Sequence, residues 1–408
     1  MNPWRRLLLA AACGVAVAGI YAAQPVLGAM GRDLGVPAGL TGWIVAAGQL
    51  GYLAGLVLLV PLGDLLDRRL LISAQLAATV AGLTLTALAP AAWVAFAGLA
   101  VTGLLAVVVQ TTVAYTASVS PPGDRGRNLG IVTSGVVAGI LGARVLAGAL
   151  AQAWGWRSIY GALAVLALAL SVLVLLALPP DKRSRPATYR QVMGSLGSLF
   201  GQRLFLTRGL ITFFLFASFG TVWSGLSLPL TGAPWHLSAA QTGLFGVAGL
   251  AGALSAARAG RLADAGHAAA VTGLALALLL ASWAAIAQLR WSLWLLAAGI
   301  VLLDFAVQAV HVSSQHLLTT AHPDRTSSVI GGYMVFYALG SALGAAATTA
   351  VFGAAGWAGS SVLGAVLAAC ALAVWALDRR LVPARSAGSR PRSADNSKKS
   401  QLNPACRA

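Results

Sequence analysis

Twelve apolar stretches, each near the roughly 20 residues a helix needs to cross a bilayer, follow one another along this chain with only short polar breaks. They cover about 6–29, 41–62, 70–89, 92–118, 128–152 and 158–178, then 205–230, 239–257, 269–288, 292–318, 327–351 and 358–377. Only 9% of the residues are charged, 58% are hydrophobic, and the mean hydropathy is +0.82. A soluble domain carries about 25% charged residues, and no soluble fold hides this much apolar surface. Lipid is therefore the expected solvent, and helices that satisfy their own backbone are the elements open to such a chain. The expected fold class is all-α and integral to the membrane, with twelve transmembrane helices. The first stretch follows Trp4-Arg5-Arg6 as a signal peptide would. It is too long for a signal core, and eleven more stretches follow, so it is expected to be retained.

The chain also reads as written twice. Gly63-Asp64-Leu65-Leu66-Asp67-Arg68 has a counterpart in Gly260-Arg261-Leu262-Ala263-Asp264, 197 residues later. Asp124-Arg125 recurs as Asp324-Arg325 at an offset of 200, and Gly155-Trp156 as Gly356-Trp357 at 201. Repeated landmarks at nearly one offset argue for two copies of one helical unit, an arrangement typical of transporters. The expected organisation is an N-terminal six-helix bundle (1–178), a linker (179–204), a C-terminal six-helix bundle (205–378) and a disordered basic tail (379–408). In the linker, Val192, Leu196 and Leu199 suit a short surface helix.

Charge fixes the expected orientation. With the N-terminus in the cytoplasm, 23 of the 27 basic residues lie on the cytoplasmic side, in loops, linker and tail. Only Arg32, Arg157 and Arg290 fall outside, and Arg144 alone lies within a span. A bias this steep sets both termini inside. The net charge of +17 resides in loops and tail rather than on a folded basic face, so no nucleic-acid partner is expected. Cys13, Cys370 and Cys406 form no CxxC pair and stand near no histidine at ligand spacing, so neither a disulfide framework nor a metal site is expected.

The loop after the second span resembles the Gly-x-Leu-Ala-Asp-basic signature of the major facilitator superfamily. Gly63, Leu65, Asp67 and Arg68 match, Leu66 replaces the alanine, and Leu70 stands where a second glycine belongs. In the second copy Gly260, Leu262, Ala263 and Asp264 match, while Ala265 replaces the basic residue. Gln24-Pro25, Arg125-Gly126-Arg127, the run from Gly139 to Arg144, and Leu303-Asp304 further resemble the drug:proton antiporter branch, especially its bacterial efflux-like members. One departure stands out: Ile140 occupies the place of that branch's proline in the fifth span.

The resemblance implies two six-helix bundles that rock about a central cavity lined by spans one, four, seven and ten. Candidate lining residues are Tyr21, Gln24, Gln110, Tyr115, Trp223, Ser224 and Gln308, a neutral amide-and-aromatic set suited to a moderately polar organic molecule. The competing role for each is interhelical hydrogen bonding. It also implies that Asp67 and Asp264 latch a cytoplasmic gate with Arg68 or Arg125, beside Gly63 and Gly260. Simple helix capping is the alternative. Gly135, Gly139 and Gly142, with Gly340 and Gly344 in the matching helix, would let backbones approach and slide.

Buried charge is the strongest chemical clue. An arginine or aspartate at mid-bilayer costs about 2.5–3.5 kcal/mol on insertion scales, yet Arg144 and Asp304 lie deep in spans five and ten. At 1.5 Å per residue they sit roughly 12 and 18 Å from the outer ends of their helices. They are expected to pair, directly or through water, in one access state and to separate in the other; a static pair or no contact are the alternatives. Gln308, His311 and Gln315 continue from Asp304 along one helical face. With no glutamate in the chain, Asp304 is the candidate proton carrier, since burial favours a protonated carboxyl and an approaching arginine favours the anion. His311 is the second candidate, against a packing role.

No nucleotide-binding glycine loop, zinc-protease motif or nucleophile–base pair is present, and the loops are too short to house a catalytic domain. No enzyme activity and no cofactor are expected. The expectation is a secondary active transporter of a small organic solute, monomeric, in a bacterial inner membrane, working by alternating access and exporting in exchange for protons. Proton-coupled or facilitated uptake is the alternative within transport, and a non-transporting membrane sensor the alternative outside it.

Overall fold

The computed structural model describes residues 1–121, 124–181, 194, 197–255, 268–322 and 326–381. Every regular element among them is a helix. The first half holds α1 (Pro3–Tyr21), α2 (Leu27–Asp33), α3 (Gly42–Leu58), α4 (Arg68–Ala87), α5 (Ala92–Leu105), α6 (Val108–Val119), α7 (Arg125–Trp154) and α8 (Arg157–Ala177). The second holds α9 (Arg203–Gly225), α10 (Ser227–Thr231), α11 (Ala239–Gly243), α12 (Phe245–Ser255), α13 (Ala268–Ile286), α14 (Leu293–Ala321) and α15 (Thr326–Leu381). Local chemistry starts several of them. Asn2 caps α1 through the Trp4 N–H, with Pro3 at the first position. Ser238 and Gln241 form a capping box on α11.

Among the described residues, ten helical stretches are long and apolar enough to cross a membrane. Several bend. The first crossing runs α1–α2 through a tight turn at Gln24–Val26, where Pro25 offers no N–H. The fourth runs α5–α6 through Ala106 and Val107. α15 has 56 residues, about 84 Å of helix, against a hydrocarbon core of about 30 Å. It breaks at Gly356, with φ 60° and ψ −159°, so it comprises the expected eleventh and twelfth crossings. The expected eighth crossing is α11–α12, which reaches the edge of the described residues at Ser255.

The repeated landmarks acquire a physical meaning here. Gly155, between α7 and α8, has φ 79°, and its counterpart Gly356 has φ 60°. Both turn the chain between two crossings in a conformation that a side chain resists. The close helix pairs also recur. A Cβ on Gly135 would lie 2.1 Å from the Ala10 carbonyl, and one on Gly139 2.3 Å from that of Gly14, fixing α7 on α1. Gly340 and Gly344 stand equally close to Phe213 and Ala217, fixing α15 on α9. Gly142 departs from the expectation: nothing lies within 4 Å of its Cβ position, so it does not mediate a close approach.

The apolar core is continuous across both halves at the end of the molecule away from residue 3, joining Tyr21, Ile44 and Trp156 to Phe219, Trp223 and Ala345. At the end that carries residues 3 and 381 it divides. One cluster (Leu8, Ile72, Tyr115, Val174) belongs to the first half and another (Leu199, Phe205, Leu318, Tyr333) to the second. Leu199, read from the sequence as surface-lying, is buried in this second cluster; Val192 and Leu196 lie outside the described residues. Arg208, counted with the linker charges, is 5% exposed within α9, where its guanidinium reaches Thr272. Arg379 and Arg380 continue α15 rather than starting the tail, whose remainder lies outside the described residues.

Candidate functional site

Between the two halves lies a cavity of about 230 Å³. α1 contributes Tyr21, α3 Gln49 and Tyr52, α6 Gln110, and α7 Ile140 and Arg144. From the other half come Phe216 and Phe219 of α9, Asp304, Gln308 and His311 of α14, and Tyr337 of α15. The wall is mostly aliphatic and aromatic, with three amides and two formal charges set into it. That is the composition of a small-molecule site.

Arg144 is 1% exposed. Its Nε donates to Gln24 Oε1 at 2.9 Å. Its guanidinium carbon lies 3.5 Å from the centroid of the Trp223 ring and 5.6 Å from those of Tyr21 and Phe219. Aromatic faces thus take over part of the role of water. Its two terminal nitrogens have no hydrogen-bond partner among the described residues. Asp304, 4% exposed, has its Oδ2 equally without a partner. The direct pair expected from the sequence is not formed in this structure. Arg144 is held instead by Gln24 and Trp223.

The reason lies in α11 and α12, which face both charges with a glycine every third residue. A Cβ on Gly246 would sit 3.3 Å from Arg144 Cβ. On Gly249 it would sit 2.9 Å from Trp223 Cζ2 and 3.3 Å from Asp304 Oδ2, and on Gly252 3.0 Å from Asp304 Cβ. This bare face admits the Trp223 indole beside the carboxylate and over the guanidinium.

His311 lies on the cavity wall, but both ring nitrogens are engaged: Nδ1 with Tyr333 Oη at 3.0 Å and Nε2 with the Gln315 amide nitrogen at 3.0 Å. A neutral imidazole, with one donor and one acceptor, satisfies both. Packing is therefore the better account of His311 than proton carriage. His311→Asn is expected to lower thermal stability by about 1–3 kcal/mol and to leave pH-driven solute accumulation near that of wild type in vesicles.

The other expected lining residues divide. Tyr21, Gln110 and Gln308 are on the wall. Tyr21 Oη is hydrogen-bonded to Tyr337 Oη across the two halves, and Gln110 Nε2 donates to Tyr52 Oη at 2.7 Å. Gln24 and Trp223 border a second, small hollow on the other side of Arg144. Ser224 is fully buried and borders neither. Tyr115 is a correction: its hydroxyl donates to the Pro179 carbonyl at 2.8 Å and it tethers α6 to the start of the linker. Tyr115→Phe should cost about 1 kcal/mol, seen as a lower melting temperature, with the solute KM unchanged.

Gln49, Tyr52, Phe216, Phe219 and Tyr337 were not expected. Gln49 and Tyr52 stand one turn apart on an apolar helix, a readable signal. The two phenylalanines carried none in a span that is aromatic throughout.

The expected gate residues meet differently from expectation. Asp67 caps α4 by accepting from the Arg69 N–H at 2.9 Å, and its Oδ1 lies 3.3 Å from the Asp181 N–H. Arg68 donates to the Gly63 carbonyl at 3.0 Å and pairs with Asp181 at 3.1 Å. Asp181 also accepts from Ser118. Asp181, unremarked in the sequence, is thus the hub, and Arg125 is exposed and not part of the cluster. Gly260 and Asp264 lie outside the described residues.

The halves touch at the other end. The Gly42 N–H donates to Thr349 Oγ1 at 3.0 Å, Thr349 donates on to the Gly39 carbonyl, and a Cβ on Gly42 would lie 1.9 Å from the Ala345 carbonyl. A Cβ on Gly148 would lie 2.3 Å from the Ala239 carbonyl. The halves are therefore in backbone contact at that end, and the core is split at the end bearing residues 3 and 381.

The chain is similar to known proteins in sequence and in fold. The chain is 38% identical over 376 residues to "Uncharacterized transporter YgaY" of Escherichia coli O157:H7, covering 92% of this chain and 95% of that protein. It is 34% identical to "Probable transporter SCO4007" of Streptomyces coelicolor, covering 86% and 82% respectively. The crystal structure of a bacterial homolog of the human lysosomal transporter Spinster superposes with a TM-score of 0.78 at 16% identity, covering 93% of this chain and 98% of that one. The family model of the Major Facilitator Superfamily matches residues 9–289. On this match and these relatives, the chain is a multi-pass membrane transporter that belongs to the Major Facilitator Superfamily.

Proposed function

We propose that this transporter is a proton-coupled antiporter of the drug:proton branch, exporting a small organic solute from the cytoplasm of a bacterium by alternating access. The observation that carries the reading is that Asp304 and Arg144, on the wall of one cavity between the halves, keep polar atoms without hydrogen-bond partners: Oδ2 of the one and the two terminal nitrogens of the other. Keeping both buried without pairing them is costly, and a fold retains such charges where they bind or move ions. The basic loops favour both termini in the cytoplasm; in that orientation the cavity faces the cytoplasm and the glycine contacts at Gly42 and Gly148 close the outside.

In this scheme solute and proton compete for Asp304. Solute enters while the carboxyl is ionised, the halves rock, and protonation from outside releases it. Arg144 then exchanges Gln24 and Trp223 for the carboxylate when no proton or solute is present. The bare face of α12 permits the slide.

Uptake is the second reading, favoured by Ile140 on the cavity wall where the resembled antiporters keep a proline. Adding a solute panel to purified protein in weak buffer tests the first. Solute binding should release protons; proton uptake on binding would favour the second reading, and no pH change with any transported solute would end both.

A further inference from the structure

The two charges on the cavity wall belong to opposite halves, Arg144 to α7 and Asp304 to α14, and neither is neutralised by the other in this structure. Arg144 is fixed at Nε by Gln24 and at its face by Trp223, so its two terminal nitrogens remain as a planar fork without partners among the described residues. Such a fork matches a carboxylate. Asp304 Oδ2 is an acceptor without a partner, and both residues border the same cavity. Between and below them the wall is apolar and aromatic: Phe216 and Phe219 lie 5.7 Å apart, and Phe216 and Tyr337 4.2 Å apart, by ring centroids.

We infer that, given solute transport through this cavity, the solute is an amphipathic zwitterion. Its carboxylate bridges the two terminal nitrogens of Arg144, its ammonium donates to Asp304, and its apolar side group packs on Phe216, Phe219 and Tyr337. A simple anion would satisfy Arg144 but crowd the Asp304 carboxylate. A simple cation would satisfy Asp304 but stand beside the guanidinium. A molecule with both charges meets both requirements and gives each buried charge an opposite partner. The same placement gives the exchange its sign. The ammonium needs an ionised Asp304, so binding expels the proton that the empty site holds. A free amino acid with a hydrophobic side chain is the simplest member of this class.

Calorimetric titration of the purified full-length protein tests it with four probes: L-phenylalanine, L-leucine, phenethylamine and phenylpropionate. At least one of the two zwitterions should bind, and the analogues lacking one charge should bind more weakly by about tenfold or more. Asp304→Asn should erase the advantage of the ammonium, and Arg144→Gln that of the carboxylate. The comparison of analogues on the wild-type protein stands even where a variant fails to fold. Equal or tighter binding of a single-charge analogue would overturn the inference. So would failure of both zwitterions to bind while another solute releases protons, an outcome that leaves the proposed antiport standing. Absence of proton release with every transported solute would remove the antiport reading itself.

Discussion

In vesicles with an imposed pH gradient, Asp304→Asn is expected to lower solute accumulation by about 100-fold, the scale of a lost coupling energy near 3 kcal/mol. Solute-for-solute exchange across the same membranes should persist at saturating solute, with a raised KM. The asparagine keeps the shape of the side chain and one acceptor, so the cavity wall and the close approach of Gly249 and Gly252 are retained. What it loses is the ability to carry a proton. Among the described residues of the cavity wall Asp304 is the one carboxylate, and His311 is engaged at both nitrogens. Accumulation that survives at wild-type level in the variant would rule out Asp304 as the coupling group. Loss of exchange even at saturating solute, in a protein that still elutes as a single species, would show that Asp304 is needed for the conformational step and not for proton coupling alone.

Gly42→Val is expected to act on the conformational equilibrium rather than on the chemistry. A Cβ there would lie 1.9 Å from the Ala345 carbonyl and 2.6 Å from Thr349 Oγ1, and two further methyl groups cannot be absorbed by backbone on the facing helix. Overpacking of this kind costs about 1–3 kcal/mol, and here the cost falls only on the state in which that end is closed. The population should shift by about tenfold or more toward the opposite state. A single cysteine at Ser227, beside the small hollow behind Arg144, should then react faster with a membrane-impermeant thiol reagent, in a background without native cysteines. Transport should fall by a similar factor. Unchanged labelling would show that Gly42 and Ala345 do not form the seal.

Much of this architecture was legible in the residues. A helix that must cross lipid has to be apolar over a set length, and that pattern survives any packing. The two deep charges were equally plain, because an apolar run exposes an exception at once. The positive φ of Gly155 and Gly356 explains why that pair of landmarks recurs in the sequence. What could not be read was rotation. Phe216 and Phe219 face the cavity because of how α9 packs, and they stand in a span that is aromatic throughout. Tyr115 was misplaced because it packs into the apolar cluster of the first half, where its hydroxyl reaches the Pro179 carbonyl. The Arg144–Asp304 pair was the natural reading of two opposite charges. The indole that separates them depends on glycines of α12 that sequence alone cannot aim. Asp67 and Asp181 show the same limit, since which carboxylate takes Arg68 is decided by where the linker begins.

The position of Arg144 has an electrical consequence. It stands where the large cavity meets the small hollow behind it, with the continuous apolar core around it. A fixed cation in a narrow, poorly hydrated neck repels hydronium and sodium alike. A carrier that opened such a neck even briefly would short-circuit the gradient that powers the cell. While Gln24 and Trp223 hold it there, the guanidinium is expected to act as a fuse against that leak.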